Sequence, residues 1–340
     1  MLLEALKALL FGIVEGITEW LPISSTGHMM LLNQFVELDV SAEFYDTFLV
    51  VIQLGAILAV ILLFFHKLNP FSGRKTKEQK RTTWNIWGKV VIGSIPAAII
   101  GILFDDWMED HVMNDPSIAY IVVAAALIAY GIIFIIIEVV NKRRLQDALR
   151  PRGRHAAQSV AGNDDAPRQH GAKPGRALNM PGKPAADNSL MADYENDPSN
   201  AISSVTNFDE LSYVKAFIIG IFQSLAVVPG TSRSGSIIIG SMLLGCSRTV
   251  ATEFAFFLAI PIMFGWSLIK FLRHGFAYTS SEWIILAIGV VVAFLVSIVS
   301  IKFLVGFIKK HDFKAFGVYR IIIGALVFLY FGQFVNHLFF

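Results

Sequence analysis

The chain has 340 residues, of which 55% are hydrophobic and only 16% are charged, whereas soluble globular proteins carry about 25% charged residues. This composition excludes an ordinary soluble domain and indicates an all-α integral membrane protein. The formal net charge of +2 gives no reason to expect a nucleic-acid partner, and the single cysteine, Cys246, excludes a disulfide framework or a cysteine-based metal site.

The hydrophobic pattern predicts six membrane-spanning helices, because a helix needs about 20 mainly apolar residues to cross a bilayer. Two further apolar stretches, 2–36 and 213–246, are each interrupted by a polar segment that contains Pro and Gly. Neither half of such a stretch can span, so each is predicted to form a re-entrant helical hairpin. The predicted spans are 44–66, 88–104 (short, with Pro96), 117–140, 250–271, 283–305 and 315–337.

Residues 143–210 differ in composition from the rest of the chain. They are rich in Pro, Gly, Ala, Asn and charged residues and contain almost no aromatic side chains. Such a segment cannot bury a core, so it is predicted to be a disordered insert. It separates two halves, 1–142 and 211–340, each with one hairpin and three spans.

The two halves share a sequence pattern. "KALLFGIVEGITEWLPISSTGH" from Lys7 and "KAFIIGIFQSLAVVPGTSRSGS" from Lys215 both contain Lys-Ala, a Gly five residues after the Lys, a Pro break and a Ser/Thr-Gly run. Because each repeat has an odd number of spans, the second copy is expected to be inverted. Inverted repeats place a binding site near the membrane midplane, where two broken helices meet.

Basic residues near the ends of the spans predict the orientation in the membrane. Lys and Arg cluster in 67–89, 142–144 and 309–314, whereas the loops at the other ends of the spans are poorly basic. The basic loops are therefore predicted to be cytoplasmic. The first hairpin would then enter from the outer face and the second from the cytoplasm.

The helix before the first break carries two carboxylates. Glu15 and Glu19 are four residues apart, so they share one helix face, where like charges repel unless a cation or a shared proton compensates. Such a pair suits a hard divalent cation, Mg²⁺ or Ca²⁺, with substrate oxygens completing the coordination. The alternative is that one or both lie at a wet helix surface.

The first break also carries hydroxyl groups and an imidazole. Pro22 ends the first half-helix, and Ser24 or Ser25 can cap the second half, whose N-terminus favours phosphate. Ser25 is a candidate nucleophile, and His28 a general base or proton donor. Thr26 is a candidate phosphate ligand; each hydroxyl can instead simply cap and hydrogen-bond.

The second break repeats this pattern in "PGTSRSG". Thr231 and Ser232 can cap the following half-helix, and Arg233 supplies a guanidinium suited to phosphate. Ser234 is a further candidate ligand. Gln223 occupies the position of Glu15 in the second repeat and is a candidate substrate ligand, as is Glu253 in the next span. Glu138, at a predicted cytoplasmic span end, is expected to reach towards water.

The motifs "EGITEWLPISSTGHMML" and "PGTSRSG", on six spans with two broken hairpins, resemble those of the undecaprenyl-diphosphate phosphatase (bacitracin-resistance) family. The resemblance covers the whole membrane portion, and 143–210 departs from it. It implies a hydrolase of the bacterial inner membrane that removes the terminal phosphate of undecaprenyl diphosphate. The product would be the monophosphate lipid carrier for cell-wall synthesis.

The resemblance also implies roles for individual residues. Glu15 and Glu19 would position the metal and the diphosphate, and Ser25 would be the nucleophile with His28 as its acid/base partner. The phosphate would be held by Arg233, Ser232 and Ser234. Such proteins are expected to be homodimers whose sites open to the outer face.

Two questions stay open from the sequence. Inverted repeats with broken helices also describe secondary transporters, so the chain could be a flippase or carrier of a phosphorylated polyprenyl lipid or an anion. The acidic pair Glu15 and Glu19 argues against a pure anion carrier, unless a cation is coupled to transport. For the enzyme, either a covalent phosphoserine at Ser25 or direct attack by water is possible.

Overall fold

The computed structural model describes residues 2–149, 197–275 and 278–339. Within these ranges every regular element is helical, which confirms the predicted all-α class. Six of the described helices are long and apolar enough to cross a membrane, as the hydrophobic pattern predicts. The α-helices are α1 (Leu2–Thr18), α2 (Ser25–Phe35), α3 (Ala42–Leu63), α4 (Phe65–Leu68), α5 (Lys77–Met108), α6 (Pro116–Leu149), α7 (Tyr213–Ser224), α8 (Arg233–Leu243), α9 (Arg248–His274), α10 (Ser280–Ile308) and α11 (Lys314–Phe339).

Helix α5 is much longer than the short span predicted for it. Its N-terminus is set by a capping box, in which Thr76 and Gln79 bond each other's backbone N–H groups. The polar first turns extend the helix beyond its apolar portion, which is why hydropathy underestimates its length. Pro96 lies inside the helix without ending it, and its ring faces Gly220 of α7.

The helices α1 and α2 form one pair and α7 and α8 form another. In each pair a non-α-helical break separates the two helices. The pair α1–α2 starts and ends at one end of the bundle, since Asp39 N donates to the Glu4 carboxylate at 2.9 Å. The pair α7–α8 starts beside the beginning of α5, where Tyr213 Oη donates to Asn85 Oδ1 at 2.7 Å. The two pairs therefore enter the bundle from opposite ends.

The sequence repeat is also a repeat of packing. Helix α1 packs mainly on α10 of the other half, and α7 packs mainly on α5, the equivalent helix of the first half. In both contacts a glycine at the same repeat position permits close approach. A Cβ on Gly12 would lie 2.8 Å from Gly289 O, and one on Gly220 would lie 2.1 Å from Gly93 O. Each half thus supplies the main support for the other half's broken pair.

The ends of the segment predicted to be disordered are folded. Residues 143–149 continue α6, and Pro198–Ile202 forms a 3₁₀ helix with Asp197 as its N-cap. Buried Asp197 accepts hydrogen bonds from Ser199 and Thr249, and buried Phe208 packs against α9. The prediction of disorder is therefore wrong for 143–149 and 197–210, and its remainder, 150–196, lies outside the described residues. The average composition of the segment does not reveal the few residues, such as Asp197 and Phe208, that are buried against the rest of the fold.

Two carboxylates near the basic-loop end of the bundle serve the fold. Glu138 is fully buried and receives two hydrogen bonds from Arg248, at 2.8 and 2.6 Å, so the prediction that it reaches towards water is wrong. Glu253 forms an ion pair with Lys67, away from both breaks. Cys246 is a buried free cysteine.

Candidate active site

Both breaks restart their helices in the same way. Ser24 and Ser232 have φ angles of 74° and 70° and are the non-glycine residues with positive φ in the described chain. Ser24 Oγ accepts from Gly27 N at 3.4 Å, and Ser232 Oγ accepts from Gly235 N at 3.1 Å. Left-handed backbone costs about 1–2 kcal/mol at such residues. Ser24 and Ser232 are thus the N-caps, rather than Ser25 and Thr231.

The two breaks touch at Glu19. Its Oε1 forms an ion pair with Arg233 Nη2 from the second break. Its Oε2 accepts a hydrogen bond from Ser25 Oγ at 2.6 Å, and its backbone oxygen accepts one from Ser234 Oγ at 3.2 Å. The structure therefore brings Glu19, Ser25 and Arg233 together, across residues more than 200 positions apart in sequence.

His28 lies elsewhere. Its Nδ1 donates to Ser24 O at 2.7 Å, since a carbonyl can only accept, and its Nε2 lies 2.8 Å from Tyr319 Oη on α11. The ring lies parallel to that of Tyr319. The expected pairing of His28 with Ser25 is not observed, because the Ser25 hydroxyl turns back to Glu19 while the imidazole faces α11. Glu19, rather than His28, is the side chain that accepts a hydrogen bond from the Ser25 hydroxyl.

Glu15 and Gln223, at equivalent positions of the repeat, are both buried with only 1% of their surface exposed. Glu15 Oε1 and both polar atoms of the Gln223 amide have no hydrogen-bond partner. An unsatisfied buried polar group costs about 1–3 kcal/mol. These atoms are therefore available to a ligand that brings its own donors and acceptors.

Two adjoining cavities meet at the breaks. The smaller, about 210 Å³, is lined by Glu19, Gln223, Ser232 and Arg233 among others. The larger, about 580 Å³, is lined by Glu15 and reaches the beginnings of α3 and α6 and the end of α5. Ser25 lines both, so the candidate nucleophile lies at their boundary. Residues Thr26, Gln53, Asp105, Ala226 and Val227 also line both cavities.

The predicted phosphate ligands divide into two groups. Thr26, Ser232 and Gln223 line a cavity, although the Ser232 hydroxyl also caps α8. Ser24, Thr231 and Ser234 use their hydroxyls inside the breaks. Thr231 Oγ1 donates to the carbonyls of Leu225 and Val228. The latter three residues therefore brace the backbone, which is the alternative that the sequence left open for each hydroxyl.

Arg320 of α11 was not among the residues selected from the sequence. It is fully buried, and its guanidinium bonds three carbonyls of the two breaks: Pro22 O at 3.0 Å, Gly230 O at 2.7 Å and Thr231 O at 2.9 Å. The available signal was a lone arginine in an apolar span, since ionisable residues within membranes are functional candidates by default.

A family model described as "Bacitracin resistance protein BacA" matches residues 8–160 and 189–326. The chain belongs to the BacA family. The match covers both breaks and Arg320, and it confirms the resemblance found in the motifs. The same conclusion follows from individual relatives.

BacA-family relatives align along almost the whole chain. An undecaprenyl-diphosphatase of Desulfitobacterium hafniense is 47% identical over 331 residues, covering 97% of both chains. Undecaprenyl-diphosphatase 1 of Clostridioides difficile is 46% identical over 330 residues, again 97% of both chains. An undecaprenyl-diphosphatase of Enterococcus faecalis is 44% identical over 327 residues, 95% of this chain and 96% of that protein. The family model leaves residues 161–188 unmatched, so the middle of the segment 143–210 departs from the family pattern, although these relatives align with 95–97% of the chain.

The donor set of this BacA-family chain fits a cation only in part. Among the described residues, no group of three or more His, Cys, Asp or Glu side chains is arranged to hold a metal ion. Both oxygens of Glu19 already accept hydrogen bonds from protein groups, whereas Glu15 retains an unpartnered oxygen. Such a site suits a cation whose remaining ligands are substrate oxygens, rather than a metal held by protein alone.

Proposed function

We propose that this protein is a membrane phosphatase that hydrolyses undecaprenyl diphosphate to undecaprenyl phosphate and inorganic phosphate. This activity would recycle the lipid carrier for cell-wall synthesis and confer resistance to bacitracin. The observation that carries the proposal is the joint at Glu19, where one carboxylate contacts both a serine hydroxyl and a guanidinium from the opposite repeat. The names of the relatives support the choice of substrate.

The side chains that meet at Glu19 include a nucleophile, a base and a cationic group, which are the groups that phosphoryl transfer requires. Arg233 and the N-terminus of α8 stabilise charge on the terminal phosphate. Ser25 Oγ bonds to the terminal phosphorus while its proton moves to Glu19, and the bond from phosphorus to the bridging oxygen breaks. Undecaprenyl phosphate leaves with that oxygen. Our assignment of the base to Glu19 rests on its 2.6 Å contact with Ser25.

The second step restores the enzyme. Water attacks the phosphoserine phosphorus, the bond to Ser25 Oγ breaks, and Glu19 returns its proton to that oxygen. One proton of the water stays on the phosphate product, and the other passes to that product or to solvent. In the alternative route, Glu19 activates a water molecule that attacks the diphosphate directly, and no phosphoserine forms.

The buried polar atoms have a role in this scheme. Glu15 would hold a divalent cation, Mg²⁺ or Ca²⁺, that arrives bound to the diphosphate. The cation would neutralise the charge of the diphosphate and so permit its approach to two carboxylates. The Gln223 amide, with both a donor and an acceptor unpartnered, would contact a phosphate oxygen or the water around it.

The protein is a multi-pass membrane protein, and we place it in the bacterial inner membrane. We assign the basic loops to the cytoplasmic side. The larger cavity reaches the ends of α3, α5 and α6 that are remote from those loops. In this orientation it opens towards the outer face. In this placement α1–α2 and α7–α8 are re-entrant hairpins. We expect a homodimer, as the family resemblance implies.

The decisive experiment is phosphate release from undecaprenyl diphosphate by the purified protein in detergent, with and without a chelator. We expect release that needs a divalent cation and that is lost in Ser25→Ala. Labelled phosphate trapped on wild-type protein would establish the covalent route; turnover by Ser25→Ala at a near-normal rate would exclude it. Binding of the lipid without any release would instead support a carrier.

A further inference from the structure

Arg320 is a buried cation with an unusual set of partners. Within the described part of the chain it forms no ion pair with a carboxylate; instead its two terminal nitrogens donate to three backbone carbonyls. The guanidinium lies over the Tyr130 ring, 5.2 Å from the ring centroid. Burying a charge without a counter-charge is costly, so this position is expected to serve the site rather than stability alone.

The three carbonyls belong to both broken helices. Pro22 lies in the first break, three residues before Ser25, and Gly230 and Thr231 immediately precede Ser232 and Arg233 in the second. Breaks expose backbone carbonyls that a continuous helix would satisfy. Arg320 therefore connects, through one rigid fork, the segments that carry the candidate nucleophile and the phosphate-binding guanidinium.

We propose that Arg320 is a positioning residue that holds the two breaks together, so that Ser25 and Arg233 face one phosphate group. This inference rests on the proposed phosphatase function. Arginine suits the role because its planar fork donates in fixed directions from two nitrogens, whereas a lysine ammonium is a single point. The surroundings leave little room for rearrangement, since a Cβ on Gly235 would lie 3.4 Å from Arg320 Nη1.

The first test compares Arg320→Lys and Arg320→Gln with wild type in steady-state hydrolysis of undecaprenyl diphosphate. Misplacing reacting groups by about 1 Å costs on the order of 100-fold, so we expect kcat of Arg320→Lys to fall about 100-fold while KM changes less than about threefold. Arg320→Gln should lose a similar factor in kcat and also raise KM, because it removes the charge. A near-normal kcat for Arg320→Lys, or a loss confined to KM, overturns the inference.

Control variants distinguish an effect on the position of the catalytic groups from an effect on folding. Arg248→Lys weakens another arginine contact, that of the partly buried Arg248 with buried Glu138 at the basic-loop end, and should lower the melting temperature without changing kcat of the folded protein. Tyr130→Leu removes the ring beneath the guanidinium and should lower kcat by about 10-fold, whereas Tyr130→Phe keeps the ring and should retain kcat within about twofold. If the Arg320 variants fail to fold, the Tyr130 pair decides, and equal kcat values for both would overturn the inference.

A spectroscopic measurement keeps this inference separate from the function on which it rests. Trp20 lies in the first break, beside Glu19, and can be labelled as 5-fluorotryptophan and assigned with Trp20→Phe. In Arg320→Lys we expect its fluorine resonance to shift or broaden, while that of Trp84, at the beginning of α5, stays unchanged. An unmoved Trp20 resonance overturns the positioning role. A wild-type protein that releases no phosphate overturns the proposed function alone.

Discussion

Ser24 and Ser232 hold the same strained backbone conformation at the same position of the two repeats, with φ angles of 74° and 70°. Each begins a half-helix by accepting a hydrogen bond from a glycine N–H three residues later. The strain turns the chain sharply, and it directs the next side chain, Ser25 in one break and Arg233 in the other, towards Glu19. The symmetry of the backbone thus presents two different functional groups to one point.

Because the backbone at Ser24 is strained, replacing this residue by glycine is expected not to lower stability, unlike replacing it by alanine. Ser24→Gly should leave stability unchanged or raise it, because glycine loses only a few tenths of a kcal/mol as a cap and relieves about 1–2 kcal/mol of left-handed strain. Ser24→Ala should lower stability by about 1 kcal/mol. Ser41, the N-cap of α3 with φ of −65°, is the control, since Ser41→Gly relieves no strain. Thermal unfolding in detergent measures all three; destabilisation by Ser24→Gly as large as by Ser24→Ala would contradict this account.

Replacing Glu19 removes the proposed base and the ion-pair partner of Arg233 together. We expect Glu19→Gln to lower kcat by about 100- to 10,000-fold, the usual contribution of general acid–base catalysis. Glu4→Gln is the control, because Glu4 is a carboxylate of α1 that pairs with Lys7 near the helix start and should leave kcat unchanged. Equal activity of Glu19→Gln and wild type would remove Glu19 from the mechanism.

The placement of His28 predicts that it does not act as the base. His28→Gln keeps a side chain able to bond Ser24 O, so we expect a kcat loss well below the roughly 100-fold or more that loss of a general base costs, and no change in the shape of the pH–rate profile. Tyr319→Phe should behave similarly, because the two side chains contact each other. If His28→Gln abolished activity or removed a limb of the profile, the imidazole would have to turn towards Ser25 during catalysis.

Substitutions of Glu15 and Gln223 are expected to change different kinetic quantities, the metal requirement for Glu15 and KM for Gln223. Glu15→Gln should raise the divalent-cation concentration needed for half-maximal activity by about 10-fold or more, since it removes an anionic ligand. Gln223→Glu should raise KM for the diphosphate, because a third buried carboxylate beside Glu15 and Glu19 repels it. Metal titration after chelator treatment measures the first effect. A metal requirement unaffected by Glu15→Gln would show that the cation does not use this carboxylate.

Replacing Asp197 is expected to lower the stability of the fold without lowering kcat. It is buried, and its carboxylate accepts hydrogen bonds from Ser199 and Thr249, so Asp197→Ala should destabilise the fold by about 2–5 kcal/mol. The kcat of the folded fraction should stay within about twofold of wild type. Asp209→Asn, in the same segment, is the control. A selective fall in kcat at unchanged melting temperature would instead connect this segment to the site.

Much of the architecture follows from the sequence because two of its determinants are local. These are the length of each apolar stretch and the position of the polar Pro/Gly segments. Twenty apolar residues make a span whatever their neighbours are, and a polar Pro/Gly segment interrupts a helix wherever it occurs. The same local logic selected Glu19, Ser25 and Arg233, since each adjoins a break. It failed where polar residues extend a helix, as at the start of α5, and where a few buried anchors such as Asp197 hold an otherwise polar segment.

Only the tertiary structure decided which groups meet. The sequence shows two breaks, each with hydroxyls and an ionisable residue, but the direction of a side chain depends on contacts between helices far apart in the chain. Those contacts brought Arg233 to Glu19 and His28 to Tyr319, and they placed Arg320 of the last span against the carbonyls of both breaks. The sequence by itself determined the parts, because composition and spacing set where helices form and stop; packing determined their partners, because long-range distances are fixed only when the halves fold against each other.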